Sequence, residues 1–276
     1  NISFTGPISL VKIKSKKRDK IWNPFSNNYI SEEIERNLFK NALGNKIVFE
    51  EINYRYGLKF SYEWNCSAKF GFVRKSIIKS MNQSQTKVEL MDGLMNIMPP
   101  GISLRTQQEM SNLANAYKVS EILTNSNLAL FYLNSLIMDK PEPGESLKNT
   151  LAWTDLNVSN KIILDHTQLK KFYDNKNINY DPLCTGRQGS FILNFSLQLN
   201  GDEQKDWNII TDTNKSQSEI NDLLTFLDQR TMASNYIKED IKENHMKLDT
   251  LVASADGRLV TNHQINDLHH TCLLYT

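Results

Sequence analysis

The chain has 276 residues, of which 39% are hydrophobic and 23% are charged, and its formal net charge at pH 7 is +1. Because a nearly neutral chain creates no global field that attracts nucleic acid or an anionic membrane, the sequence predicts neither as a partner. The three cysteines, Cys66, Cys184 and Cys272, lie far apart with no CxxC pair, which favours free thiols over a disulfide framework or a zinc site.

The two ends of the chain predict that it is a piece of a longer protein. It begins at Asn1 in a strand-like run and ends at Thr276 in an amphipathic helical pattern. The amino terminus shows no signal-peptide pattern, and no apolar run approaches the ~20 residues of a membrane span. We therefore expect a cytoplasmic protein, although a truncated start would also have removed any signal peptide.

Alternation of apolar and polar residues predicts β-strands from Lys46 to Leu199. Four segments with short connections predict an antiparallel meander: residues 46–51, 57–64, 70–79 and 86–92. Further strands are predicted at 128–139, 146–154, 161–165 and 190–199, with a rigid turn at 141–145. Most links are too short for the helical crossovers that parallel strands need, so the predicted sheet is antiparallel.

Two regions have helical periodicity instead. One helix, with Ser103 as its predicted N-cap, interrupts the strands within residues 102–123. After Trp207 the pattern becomes helical, and Ser216 with Glu219 fits a capping box. The sequence therefore predicts a mainly β protein, with a large antiparallel β-sandwich domain and one inserted helix at 1–206 and a truncated helical linker region at 207–276.

No motif in the sequence indicates a catalytic or cofactor-binding centre. GxSxG, HExxH, P-loop and GxGxxG patterns do not occur. No histidine lies three or four residues from another, the spacing that brings two metal ligands together on a helix, so neither a metal nor a cofactor is predicted. Glu89 and Asp92 are predicted to point to opposite faces of one strand. The carboxylates of Asp139, Glu142 and Glu145 are better explained by a solvated turn than by a glycosidase pair.

Two kinds of side chain on the predicted strands are weighed as ligand contacts. The basic segment at 12–20 lacks interleaved aromatic residues, so a solvated strand with lysines at a sheet edge is favoured over a phosphate site. An exposed aromatic surface on the strands would suit the apolar face of a sugar, whereas packing between sheets explains most of the rings, which are Trp64, Phe70, Phe72, Phe131, Tyr132 and Trp153. Arg74 either presents a planar donor at a sheet face or pairs with Glu63. The candidate glycan contacts are therefore Trp64, Arg74 and Trp153, and no catalytic residue is predicted.

Four segments carry a resemblance to a known family: FSYEW, FGFVRKSII, VELMDGLMNIMPPG and, near the end, LVASADGRLVTNHQINDLHH. They resemble the amino-terminal region of large bacterial carbohydrate-active proteins related to the cellobiose and chitobiose phosphorylases. The resemblance covers most of residues 46–276 and rests on packing and turn motifs. It implies a β super-sandwich, a helical linker and a downstream (α/α)6 barrel that carries the catalytic acid, so that the catalytic residues lie beyond Thr276.

The expected function is that of a non-catalytic β-sandwich and linker of a glycoside phosphorylase or hydrolase, which shapes the active-site rim or a subunit contact and touches glycan. Its expected partners are an oligosaccharide or the downstream barrel, with a homodimer as a further option. The alternative is a free-standing carbohydrate-binding or scaffolding sandwich whose helix oligomerises. That alternative predicts that Leu224, Leu227 and Ile237 pair with another chain, whereas a linker would dock them on its own sheet. A complete small glycosidase built on the turn carboxylates ranks last.

Overall fold

The computed structural model describes residues 5–15, 18–26, 32–123, 126–137, 144–156, 161–228 and 233–255. Within these ranges the strands are β1 (Gly6–Ile13), β2 (Lys20–Trp22), β3 (Ile34–Lys40), β4 (Lys46–Asn53), β5 (Leu58–Ser67), β6 (Gly71–Ser80), β7 (Thr86–Ile97), β8 (Lys118–Ile122), β9 (Leu128–Leu133), β10 (Asn149–Thr154), β11 (Ile162–Asp165), β12 (Leu183–Thr185), β13 (Gly189–Leu199) and β14 (Gln204–Lys215). The helices are α1 (Leu104–Glu109), α2 (Ser111–Ala116), α3 (Gln168–Tyr173), α4 (Gln217–Leu227) and α5 (Ala233–Ser254).

The strands form two antiparallel sheets. In the described ranges the small sheet has the order β11-β13-β7-β1-β2, and the large sheet has the order β12-β8-β9-β10-β14-β6-β5-β4-β3. Their inner faces pack on each other, so that Phe60 and Ile78 of the large sheet share a core with Leu90 and Phe191 of the small sheet. Burial of each such side chain contributes roughly 1.5–3 kcal/mol. The predicted antiparallel β-sandwich is confirmed.

Helices cover the outer face of each sheet. On the large sheet, α4 and α5 pack through Ile220 and Ile237 against Val73, Trp153 and other side chains. On the small sheet, α3 packs through Phe172, which is fully buried. The strands at the centre of each sheet are therefore covered on both faces.

The predicted four-stranded meander is wrong at its fourth strand. The strands β4, β5 and β6 pair consecutively as predicted, but β3 precedes them and β7 lies in the other sheet. In β7, Leu90 pairs with Val11 on one side and with Phe195 on the other. Local alternation predicts a strand and its buried face, but it does not decide which sheet the strand joins.

The predicted inserted helix is two short helices followed by a strand. The hydroxyl of Ser103 accepts a hydrogen bond from the backbone N–H of Thr106 at 3.0 Å, which confirms the predicted N-cap of α1. The backbone of Met110, with φ of −129°, separates α1 from α2. Strand β8 begins at Lys118, inside the segment that was predicted as helix. The helix prediction extended too far because Ile122 also fits helical spacing.

The first C-terminal helix begins at the predicted capping box, but a strand that was not predicted precedes it. Strand β14 continues to Lys215, past the predicted boundary at residue 206, and α4 then starts with the predicted capping box of Ser216 and Glu219. Leu227 and Ile237 are 5% and 1% exposed against their own sheet, and Leu224 packs against the same cluster. The division into two domains remains a prediction, and residues 256–276 lie outside the described ranges.

Candidate functional site

Arg74, predicted as a glycan contact, lies in the core between the two sheets. It is fully buried, and two of its nitrogens each donate to a different carboxylate oxygen of Asp92 at 2.9 Å. Its guanidinium lies 4.5 Å from the centre of the Tyr62 ring. The other partner considered, Glu63, pairs instead with Lys46 at 2.7 Å. Arg74 therefore joins the sheets and is unavailable to a glycan in this structure, because no part of it reaches the surface.

Asp92 is the acceptor at the centre of this buried network. Besides Arg74, it accepts hydrogen bonds from Ser9 at 2.6 Å, Ser76 at 2.8 Å and the indole N–H of Trp207 at 2.8 Å. Arg74, Ser76 and Trp207 come from the large sheet, whereas Ser9 and Asp92 come from the small sheet. Since both carboxylate oxygens are occupied by donors from the chain itself, this network holds the fold together and leaves no position for a ligand.

Trp153, the second predicted glycan contact, is 1% exposed on the outer face of the large sheet. Its ring packs edge-on against Phe70 and Phe226, with centroid distances of 5.8 and 6.4 Å. Phe226 in turn lies 5.8 Å from Tyr236 of α5. Trp153 therefore packs in a cluster of rings that leaves little of its surface exposed, and its contact with a glycan stays a prediction.

These rings form the floor of a cavity between the large sheet and helices α4 and α5, here called the helix pocket. Its volume is about 640 Å³. The residues that line it are Lys69, Phe70, Leu151, Trp153, Asp212, Lys215, Glu219, Asp222, Leu223, Phe226, Tyr236, Glu239, Asp240 and Glu243. Six carboxylates and two ammonium groups thus surround an aromatic floor, so the pocket is acidic.

Part of this charge is already compensated by ion pairs. Lys215 lies 2.8 Å from Asp212 and 3.4 Å from Glu219, and Glu243 lies 2.7 Å from Lys247. The backbone N–H and the hydroxyl of Ser216 hold the pKa of Glu219 at about 2, so that this carboxylate stays ionised at neutral pH. The carboxylates that remain belong to Asp222, Glu239 and Asp240.

Trp64, the third predicted contact, is partly exposed and lies on the inner face of the large sheet. Beside it, Phe72 follows the same face of β6 as Arg74 but is 55% exposed, so the small sheet does not cover this end. Ile47 pairs with Trp64, and Thr211 pairs with Phe72. These four residues, Ile47, Trp64, Phe72 and Thr211, are here called the aromatic shelf; they border a shallow cavity of about 460 Å³.

The basic segment at 12–20 forms the predicted solvated sheet edge in part, because β2, which begins at the exposed Lys20, is the edge strand of the small sheet, and Lys14 and Arg18 are also exposed. Strand β1 lies inside the small sheet, between β7 and β2. Lys12 is 4% exposed, with its ammonium 3.8 Å from the centre of the Phe172 ring. Lys14 pairs with Asp19 and Glu89 at 3.1 and 2.8 Å. Lys12 is therefore a packing residue, whereas the charge of Lys14 is compensated by two carboxylates of the same chain.

The remaining metal-ligating and nucleophilic side chains form no further candidate site in the described ranges. Among the described residues, no group of three or more His, Cys, Asp and Glu side chains lies close enough to hold a metal ion. Cys66 and Cys184 are free, and burial raises the pKa of the Cys184 thiol. The described ranges contain no helix with the length and apolarity needed to cross a membrane. Asp139, Glu142 and Cys272 lie outside the described residues.

Comparison with known proteins finds solved structures with a similar fold but no protein family that the sequence matches. No protein-family model and no curated protein matches the sequence. Similar solved structures include a protein described as a kojibiose phosphorylase, from the human microbiome, with 13% identity and a TM-score of 0.42 over 85% of this chain and 27% of that chain. A polysaccharide lyase matches with 8% identity and a TM-score of 0.43 over 78% of this chain and 26% of that chain.

A galactose mutarotase-like protein from Lactobacillus casei ATCC 334 is also similar, with 8% identity and a TM-score of 0.36 over 75% of this chain and 84% of that chain. The chain spans about a quarter of the length of the phosphorylase and of the lyase. At these identities and TM-scores the likeness concerns the β fold alone, and it identifies no substrate, reaction or site residue.

The sequence predicted Trp64, Arg74 and Trp153 as ligand contacts. The structure adds two further candidates, the exposed ring of Phe72 and the carboxylate of Asp240 in the helix pocket. Phe72 was among the strand aromatics considered, but its alternation with Val73 did not show that it would be more exposed than the other rings. For Asp240 a signal exists, since this charged residue stands three positions after the buried Ile237 and directly before Ile241, within the apolar stripe of α5.

Proposed function

We propose that this chain is a glycan-contacting β-sandwich region that accompanies a catalytic domain and performs no chemistry of its own. The observation that supports the proposal is the aromatic shelf, where Phe72 is 55% exposed beside Trp64 on a sheet face that is otherwise packed into the core. An exposed aromatic surface flanked by polar groups is the usual composition of a ligand-binding groove. The apolar C–H face of a sugar ring fits such a surface.

Polar groups at the margin of the shelf match the hydroxyl groups of a neutral sugar. The cavity is bordered by Asn45, Lys46 and Thr211 as well as by the rings. Asn45 accepts a hydrogen bond from Asn41 at 2.6 Å through its carbonyl oxygen, and within the described ranges its amide nitrogen has no partner. Because the ammonium of Lys46 is paired with Glu63, the margin offers hydrogen bonds without a strong net charge.

The helices support the linker part of the proposal. Leu227 and Ile237 are buried on the chain's own sheet, so they are not free to pair with a second chain in this arrangement. We therefore favour a linker that docks on its own sandwich over an oligomerising helix. The downstream (α/α)6 domain and a homodimer through another surface belong to the proposal as candidate partners.

Calorimetry with the whole chain tests the proposal, with gluco-, manno- and chito-oligosaccharides as ligands and phosphate in the same samples. We expect weak binding of one of these series without turnover. Phe72→Ala should weaken that binding about twofold to twelvefold, because an aromatic contact contributes about 0.5–1.5 kcal/mol beyond its buried area. Phe39→Ala is the matched control, since Phe39 is 52% exposed on the opposite face of the same sheet.

The outcomes separate the two parts of the proposal. Equal binding by Phe72→Ala and the unaltered chain would exclude the aromatic shelf as the contact surface. Release of free sugar or sugar phosphate would show that the chain is itself catalytic. Absence of binding to all three series would leave a purely structural role beside a catalytic domain.

A further inference from the structure

One buried carboxylate of the helix pocket forms no ion pair among the described residues, although the ammonium of Lys247, which is paired with Glu243, attracts it from a longer distance. Asp240 is 7% exposed, and its Oδ2 atom accepts hydrogen bonds from the hydroxyl of Ser67 and from the backbone N–H of Lys69. For its Oδ1 atom the described residues supply no hydrogen-bond donor, and they place no Lys, Arg or His nitrogen within 4.0 Å of the carboxylate. A buried carboxylate is normally paired with a cation, because desolvation of an isolated charge is unfavourable.

The nearby carboxylates add to this excess of negative charge. Asp222 on α4 and Glu239 on α5 both line the helix pocket, and in the described ranges neither forms an ion pair. Of the two lysines that line the pocket, Lys215 is held by Asp212 and Glu219, as described above, whereas Lys69 forms no ion pair in the described ranges. One ammonium group thus stands against three unpaired carboxylates, and the balance is negative. A ligand in this pocket therefore meets a negative potential from both helices.

The floor of the pocket suits a cation that carries apolar groups. Phe70, Phe226 and Tyr236 form a continuous run of rings, with centroid distances of 5.2 Å between the first two and 5.8 Å between the last two. Tyr236 is 46% exposed, so its ring is accessible. The face of an aromatic ring attracts an ammonium group, and the attraction is greatest for organic cations that shed water readily.

We propose that the helix pocket binds a small organic cation with an apolar body, of the alkylammonium class. The rings pack against the alkyl groups, while Asp240, with Asp222 and Glu239 at the margin, supplies the counter-charge. The volume of about 640 Å³ lies within the range of small-molecule sites. This site lies on the outer face of the large sheet, whereas the aromatic shelf lies on the inner face, so the two proposals are independent.

The test measures the binding of choline and of its uncharged isostere 3,3-dimethylbutan-1-ol to the whole chain. Calorimetry and nuclear magnetic resonance titration give the two affinities. We expect choline to bind and the alcohol to bind at least about tenfold more weakly, because only choline carries the charge. Equal affinity for the two probes would show an apolar pocket and overturn the proposal, as would the absence of choline binding.

Variants locate the bound cation. Asp240→Asn keeps the size and an acceptor for Ser67 but removes the charge, and we expect it to weaken choline binding about tenfold. Tyr236→Ala should weaken binding about threefold, since one accessible ring is lost. Glu109→Gln, which neutralises an exposed carboxylate on α1, is the control and should leave affinity unchanged.

A second measurement keeps the proposal testable if one variant is poorly folded. Choline should raise the thermal midpoint of the unaltered chain and of Phe72→Ala alike, but not that of Asp240→Asn. A choline-induced rise that persists in Asp240→Asn would overturn the assignment of the counter-charge. Loss of glycan binding in Phe72→Ala with choline binding retained would show that the two sites are separate.

Discussion

A buried carboxylate lies on each face of the large sheet, and the two differ in how many hydrogen bonds they accept. On the inner face, Asp92 of the small sheet is saturated by donors from Arg74, Ser76, Trp207 and its own-sheet neighbour Ser9. On the outer face, Asp240 is buried almost as completely but uses one oxygen only within the described residues. The first arrangement is closed to ligands, whereas the second borders a cavity.

This difference gives a criterion for distinguishing a charged group that stabilises the fold from one that could bind a ligand. Burial and aromatic rings are common to both sites, since Tyr62 lies against Arg74, and Phe226 and Tyr236 line the same pocket as Asp240. What distinguishes the two carboxylates is that donors occupy both oxygens of Asp92, although Nε of Arg74 is buried without a partner among the described residues, and that Asp240 borders a cavity. Three measurements of stability test the comparison.

The largest effect is expected for Asp92→Asn. This substitution leaves the charge of Arg74 buried without a carboxylate, so we expect a loss of about 3–5 kcal/mol in the free energy of unfolding. Urea denaturation followed by tryptophan fluorescence measures it. The double variant Arg74→Met with Asp92→Leu is the control and should lose less than Asp92→Asn, because no charge stays unpaired. A loss below about 1 kcal/mol in Asp92→Asn would contradict the closed-network interpretation.

An intermediate effect is expected from Lys118, a buried cation with neutral partners. Lys118 is 1% exposed, and its ammonium donates to the side-chain oxygens of Gln107 and Asn115. Burial lowers the pKa of Lys118 from its ordinary value of 10.5 to about 8. Between these two values the unfolded chain binds a proton that the folded chain does not, so the stability contributed by this group rises with pH across that window.

The expected rise from about pH 8 to pH 10.5 is on the order of 2 kcal/mol in the free energy of unfolding. Urea denaturation at half-unit pH intervals measures it. Lys118→Met should abolish this component of the pH dependence, because the titrating group is gone. If the unaltered chain and Lys118→Met show the same pH profile, the buried ammonium does not titrate in this window.

The smallest effect is expected for Asp240→Asn in the absence of ligand. Removal of an unpaired buried charge offsets the weaker hydrogen bond to Ser67, so the free energy of unfolding should stay within about 1 kcal/mol of the original value. The contrast with Asp92→Asn, measured under the same conditions, is the informative quantity. A loss comparable to that of Asp92→Asn would mean that Asp240 is a structural anchor like Asp92.

Local patterns predicted much of the secondary structure but less of the candidate sites. The N-cap Ser103 and the capping box of Ser216 and Glu219 were predictable, because capping depends on side chains within three residues of the helix start. Strand β8 was missed because Ile122 fits both a helical and an alternating pattern. For Trp153 and Arg74, the residue type suggested a ligand contact, whereas their burial depends on residues that are distant in the sequence and could not be predicted.

By itself, the sequence determined the antiparallel, mainly β character of this protein and the helical nature of its last described segment. Both follow from local steric preferences and from periods of two and 3.6 residues. Tertiary structure alone decided that β7 joins the small sheet, that Arg74 pairs with Asp92, and that Phe72 lies beyond the edge of the core. These features depend on which strands meet across long stretches of chain, and a one-dimensional pattern records the period of a strand but not its neighbours.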